Sequence, residues 1–146
     1  MKKLFIKVLA TFLIFMLYTI SLPAQTNNSQ AGNDTSLYIR LGGADTIDAL
    51  LNSAITYIIV DSRINIRFAK SDVKTLKANW NNIICNKAGG GCDLPPFSEK
   101  FNASDSEWGA GIEDIKMALN RFKVKEPEQS ELIAILNALR KDFFKQ

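Results

Sequence analysis

The sequence predicts an all-α fold, and three observations carry that prediction. Apolar residues recur three and four positions apart through most of the chain, the period of a helix with one buried face. No stretch convincingly alternates apolar and polar residues as a half-buried strand does. Breaks and start signals, among them Gly42-Gly43, Gly89-Gly90-Gly91 and Ser104-Asp105-Ser106-Glu107, fall between the apolar stripes.

Taken in order, Ser36 to Leu41 makes a short turn of helix that ends at Gly42-Gly43, which permit left-handed backbone. Thr46 to Val60 carries one wide stripe of Ile47, Leu50, Leu51, Ala54, Ile55, Ile58 and Ile59. Asp61-Ser62-Arg63 breaks it, and Ile64, Ile66 and Phe68 read as apolar anchors of the connector. Ser71 or Asp72 can cap the next helix, whose face uses Val73, Leu76, Trp80, Ile83 and Ile84. That helix stops at Lys87-Ala88, and Pro95-Pro96 then disfavour a helix through the following segment. Ser104 and Glu107 form a capping box for a stripe of Trp108, Ile112, Ile115, Leu119 and Phe122. Pro127 suits a first helical position, and Leu132, Ile135, Leu136 and Leu139 give the last helix its buried face, with Phe143 and Phe144 closing the chain.

The first 24 residues read as a secretory signal. Lys2, Lys3 and Lys7 precede the uncharged apolar run Val8–Leu22, and Pro23-Ala24 supplies a small residue before a polar stretch. Fifteen apolar residues fall short of the roughly 20 that a spanning helix needs. Residues 25–35 form a polar, disordered lead, and 36–146 form the domain. Without the leader's three lysines, 15 basic residues face 15 acidic ones, so the net charge is zero and no dense basic stripe invites nucleic acid. The expected location is periplasmic or extracellular, with no membrane attachment after cleavage. In an oxidising compartment, the even pair Cys85 and Cys92 favours a disulfide across a glycine-rich loop. A metal site is the rival, but two sulfurs leave a tetrahedral shell half filled.

The chain contains no histidine. That removes Ser–His and Cys–His nucleophile pairs, most zinc sites and the usual proximal ligand of haem. Other catalytic patterns are weak. Gly89-Gly90-Gly91 lacks the lysine and hydroxyl of a phosphate loop. Glu113-Asp114 and Glu126/Glu128 read as solvated helix faces, and Phe68, Phe97 and Phe101 as core residues or a small cleft. An enzyme is not the favoured reading.

Several motifs together resemble a group I truncated haemoglobin of an exported, cysteine-containing kind. Leu37-Tyr38-Ile39-Arg40-Leu41-Gly42-Gly43 is similar to the family's opening LYxRLGG. Asp61-Ser62-Arg63-Ile64 followed by Phe68 resembles its DPRxxxxF connector. Leu76-Lys77-Ala78, then Ile84-Cys85 and Gly89-Gly90-Gly91-Cys92, resembles an LKA helix ending in IC…GGPC. Ile112-Glu113-Asp114-Ile115 through Val124, and Glu131 to Asp142, resemble its tail. The likeness implies a truncated two-over-two globin-like fold around heme b, with O2 or NO binding.

Position by position, the resemblance implies a haem pocket at Ile55, Phe68, Leu76, Trp80 and Ser98. Ile55 stands where the family has a distal tyrosine; Phe68 keeps the haem-packing phenylalanine; Leu76 and Trp80 are distal positions. An ungapped match from Trp108 puts the proximal histidine position at Ser98, whereas a match from Cys92 leaves this segment about five residues short. Cys92, Met117, Tyr57 and Lys100 are the substitutes to weigh as iron ligands. Cys92 is expected to be oxidised, Met117 to fill core and Tyr57 to face solvent, while Lys100 must first lose its proton. A pocket of roughly 300 Å³ left empty costs about 7 kcal/mol at ~24 cal/mol per Å³, so filling or collapse is expected, with Trp80 as a filler. Three functions follow: a haem-free module for a small apolar ligand or a protein partner, a haem-dependent O2/NO binder or dioxygenase with a non-histidine ligand, and an accessory domain with no small-molecule site.

Overall fold

Ser36 starts the first helix, α1 (Leu37–Arg40), by accepting a hydrogen bond from the Ile39 amide through its side chain. The computed structural model describes residues 35–94 and 103–143. Residues 1–24, expected as a leader, residues 25–34 of the expected lead, the segment 95–102 with Phe97, Ser98, Lys100 and Phe101, and Phe144 lie outside the described residues.

Gly42 turns the chain straight from α1 into α2 (Gly43–Val60), three residues before the expected start at Thr46. Its φ of 97° is left-handed, and an added Cβ would lie 2.5 Å from Thr46 Oγ1, so glycine is required both by backbone and by space. The glycine pair therefore begins α2 as well as ending α1. Ile47, Leu50, Leu51, Ala54 and Ile55 are buried, whereas Ile59 is 42% exposed and leaves the stripe. Each fourth residue drifts by about 40° around a helix, so the row through Ile47, Leu51 and Ile55 has rotated outward by Ile59.

Asp61 caps the end of α2, and its carboxylate accepts a hydrogen bond from the Arg63 amide at 2.8 Å. In the connector Ile64 is buried, but Ile66 lies on a 3-10 turn (Asn65–Arg67) and is 69% exposed. Asp72 then caps α3 (Val73–Lys87) by accepting from the Lys74 and Thr75 amides. Val73 occupies the first turn, beyond the packed face, and is 45% exposed instead of buried. Ile83, Ile84 and Cys85 are buried. The Cys85–Cys92 disulfide is formed, with Cα atoms 5.6 Å apart, and Asn86 donates to the Cys92 carbonyl at 2.7 Å. Gly90 packs so tightly that a Cβ there would come within 2.7 Å of Cys85 Sγ and of the Tyr38 ring.

The capping box of Ser104 and Glu107 starts α4 (Asp105–Arg121) as its sequence pattern requires. Leu119 is fully buried, and Trp108, Ile112, Ile115 and Phe122 pack against the core. A second buried row, Ala110, Gly111, Asp114 and Ala118, runs beside them. Its small residues let α2 pack along α4. Asp114 is thus 1% exposed and not on a solvated face. Met117 sits about 200° around the helix from Ile115 and from Leu119, which leaves it 46% exposed and not core filling.

The last helix, α5 (Glu126–Phe143), begins one residue before Pro127, whose missing amide is harmless in a first turn. Leu132, Leu136 and Leu139 are buried along it. Gln129 is buried too, and donates at 2.9 Å to Asn120 Oδ1 and at 2.8 Å to the Val124 carbonyl. Arg40 joins α1 to α5 through Glu128, at 3.2 Å, and Glu131. Tyr38 ties α1 to the end of α3 by donating its amide hydrogen to the Ala88 carbonyl at 2.8 Å. The described residues are helical with no strand, and α2 and α3 pack with α4 and α5 around one apolar cluster. No described helix is long and apolar enough to cross a membrane.

Candidate functional site

The helices enclose an apolar cavity of about 80 Å³. α2 supplies Ala54, Ile55 and Ile58; α3 supplies Leu76, Trp80 and Ile84; α4 supplies Trp108, Gly111 and Ile112. The connector adds Ile64, Arg67 and Phe68, and Leu132 and Leu136 close the side toward α5. Ile55, Phe68, Leu76 and Trp80 thus line one space, although they come from three different stretches of chain. Ser98 lies outside the described residues, and Ala103 is the nearest described wall residue after the gap. The volume is well below the roughly 300 Å³ of a small ligand site, but it is not zero. Trp80 narrows the cavity without filling it.

Arg67 is the one formally charged residue among the described residues of the lining. Almost all the surface facing the cavity is apolar, so Arg67 offers its methylene stem to the wall and holds its guanidinium at the rim. There Nε donates to Glu107 Oε1 at 2.7 Å and Nη2 donates to Glu107 Oε2 at 3.2 Å. Glu107 also accepts from the Ser104 amide at 2.6 Å. The guanidinium, and after it that amide, holds the Glu107 carboxyl down at about 2. The ion pair therefore links the connector to the first turn of α4 beside the cavity. Sequence reading passed over Arg67; its only signal was adjacency to Phe68.

A second polar feature lies in the buried row of α4 that holds Ala110, Gly111 and Ala118. Burial pushes the Asp114 carboxyl up to about 6, the charges of Asp61 and Glu113 add to the rise, and Arg63 opposes it. Its Oδ2 is buried and makes no hydrogen bond among the described residues. Tyr57, expected in solvent, is partly buried against the core. Its hydroxyl is lowered from its ordinary value, first by the nearby Arg121 guanidinium and then by Ser53 beside it.

Among the described residues three polar side chains reach the cavity lining, Arg67, Trp80 and Trp108, and all carry donor hydrogens without a lone pair fit for iron. Trp108 Nε1 donates to Asn137 at 2.8 Å. Cys92 is bonded to Cys85, Met117 is exposed on the outer side of α4, and Tyr57 is not in the lining. Lys100 lies outside the described residues. No cluster of three or more histidine, cysteine, aspartate or glutamate side chains is poised for a metal among the described residues. The described donors do not fit a ligated haem iron, whereas the apolar walls fit a hydrophobic guest.

The fold is that of truncated haemoglobins. The truncated hemoglobin of Tetrahymena pyriformis in its Fe(III) form is similar to this chain at a TM-score of 0.71 and 18% identity, over 77% of this chain and 100% of that one. The 2/2 hemoglobin of Synechococcus sp. PCC 7002, in the cyanomet state with covalently attached heme, gives 0.68 and 20% over the same shares, 77% and 100%. Hemoglobin from Chloroflexus aurantiacus gives 0.59 and 18%, again over 77% and 100%. No protein-family model and no curated protein matches the sequence. At such identities the likeness establishes architecture: this is a truncated two-over-two globin fold.

Proposed function

We propose that this chain is an exported binding module on a truncated-globin fold, whose cavity takes a small apolar ligand without ligating haem iron. One observation carries the reading. The space that Ile55, Phe68, Leu76 and Trp80 share is apolar on nearly every side and small, and its described lining offers no iron ligand. Such a site gains affinity from apolar burial, about 25 cal/mol per Å² removed from water. The vacancy at Ser98, a group I ancestry and the leader at 1–24 belong to the same proposal. The Cys85–Cys92 bond suits an oxidising compartment and supports the export reading.

The test is the absorption spectrum of the mature protein purified from haem-supplied cells. We expect no stoichiometric Soret band after competition with apo-myoglobin; a stoichiometric band that survives would overturn the haem-free reading. The second reading, haem-dependent O2 or NO binding through a non-histidine ligand, is favoured by the shared fold with haem-bearing structures. If a band survives, replacing Lys100, Cys92 or Met117 identifies the ligand by the shift it causes.

A further inference from the structure

We infer that the cavity and its rim select a small amphiphilic monocarboxylate, with the apolar chain against Trp80 and Phe68 and the carboxylate on the outer edge of the Arg67 guanidinium. This deepens the proposed apolar-ligand reading and rests on it. The arrangement of Arg67 is the main observation. Its stem belongs to the cavity wall and its head to the rim, so a guest that enters tail first leaves its head beside the guanidinium.

The same chain shows how its arginines use their donors. Arg40 spans two carboxylates, Glu128 and Glu131, and Arg63 spans Asp61 and Glu113. Arg67 holds one carboxylate, that of Glu107, through its Nε and Nη2 edge. Its Nη1 has no hydrogen-bond partner among the described residues, and the side chain is 39% exposed. A planar guanidinium presents five donors, enough for two carboxylates on adjoining edges. Glu107 does not compete for that second edge, because the Ser104 amide fixes it at the head of α4. It orients Arg67 instead. A cationic head would lose these donors, and a neutral alcohol would gain only an uncharged hydrogen bond.

The test follows quenching of Trp80 and Trp108 fluorescence in the disulfide-bonded chain by butyrate, 1-butanol and butylammonium, whose chains match a cavity of about 80 Å³. We expect Arg67→Gln to weaken butyrate about five- to tenfold, the loss of one partly exposed charge-assisted bond, with 1-butanol held within about twofold. Arg67→Lys should recover part of the butyrate affinity, and circular dichroism should show each variant folded. With the unaltered chain, raising salt from about 20 to about 500 mM should weaken butyrate and leave 1-butanol unchanged, since only the former relies on screened charge. Equal losses for butyrate and 1-butanol, no loss at all, or a salt-independent butyrate affinity would overturn the carboxylate assignment and leave the apolar site standing. Failure of all three probes to bind would overturn the apolar site itself.

Discussion

At the scale of single residues, Asp114 is the most consequential side chain that sequence reading placed wrongly. Its neighbour Glu113 is exposed, and two adjacent acids suggest one solvated face, yet 100° of helix rotation separates them and turns Asp114 inward. A carboxyl whose folded value is raised to about 6 binds its proton more tightly folded than unfolded. Its contribution is therefore most favourable below about pH 4 and is lost as pH rises through 6. Two pH units correspond to about 3 kcal/mol of differential interaction; relaxation and water entry reduce what is measured. Asp114→Asn keeps the shape and removes the charge. Urea denaturation at pH 7.5 should show it more stable than the unaltered protein by about 1–2 kcal/mol, with the difference shrinking toward zero near pH 4. An equal difference at both pH values would show that ionisation of Asp114 is not its source.

At the scale of elements, the starts of α3 and α4 were legible because their signals are local. Asp72 and the Ser104–Glu107 box act where their residue types and spacing put them. The end of α4 was not legible, since its motif needs a backbone conformation that lysine rarely adopts. Lys123 is left-handed at φ 54°, its amide donates to the Asn120 carbonyl, and the Val124 amide donates to Leu119 at 3.0 Å. Those two bonds are the Schellman pair, with lysine at the position where glycine is favoured. Lys123→Gly should therefore raise stability by about 0.5–1 kcal/mol, since a left-handed non-glycine residue costs about 1–2 kcal/mol and glycine's greater unfolded freedom returns part of it. Thermal unfolding at matched pH checks the sign, and a lowered Tm would mean that the lysine side chain makes a compensating contact. The exposed Ile59, Val73 and Met117 were misplaced for a related reason. A stripe drawn on one helix does not show where its partners end.

At the scale of the whole molecule, the all-α architecture was readable because helical periodicity and motif spacing are local, and Ile55, Phe68, Leu76 and Trp80 line one cavity. The size of the pocket was not readable, since it depends on how far four helices and a connector settle around Trp80. On the proposed haem-free reading, that settling makes an empty globin fold tolerable. At ~24 cal/mol per Å³, the cavity of about 80 Å³ costs about 2 kcal/mol against about 7 kcal/mol for a haem-sized void. The remaining space is then a compromise between stability and the capacity to bind a guest, and one substitution can shift the balance. Ala54 lines the cavity and is 2% exposed. Ala54→Leu adds three carbons, about the volume available, so it should stabilise by about 1 kcal/mol and abolish quenching by 1-butanol. Chemical denaturation and the quenching titration read the two effects separately. A variant that is destabilised by more than about 1 kcal/mol, as overpacking does, yet still binds 1-butanol would place the guest elsewhere. Gain of stability with loss of binding would tie both to the same cavity.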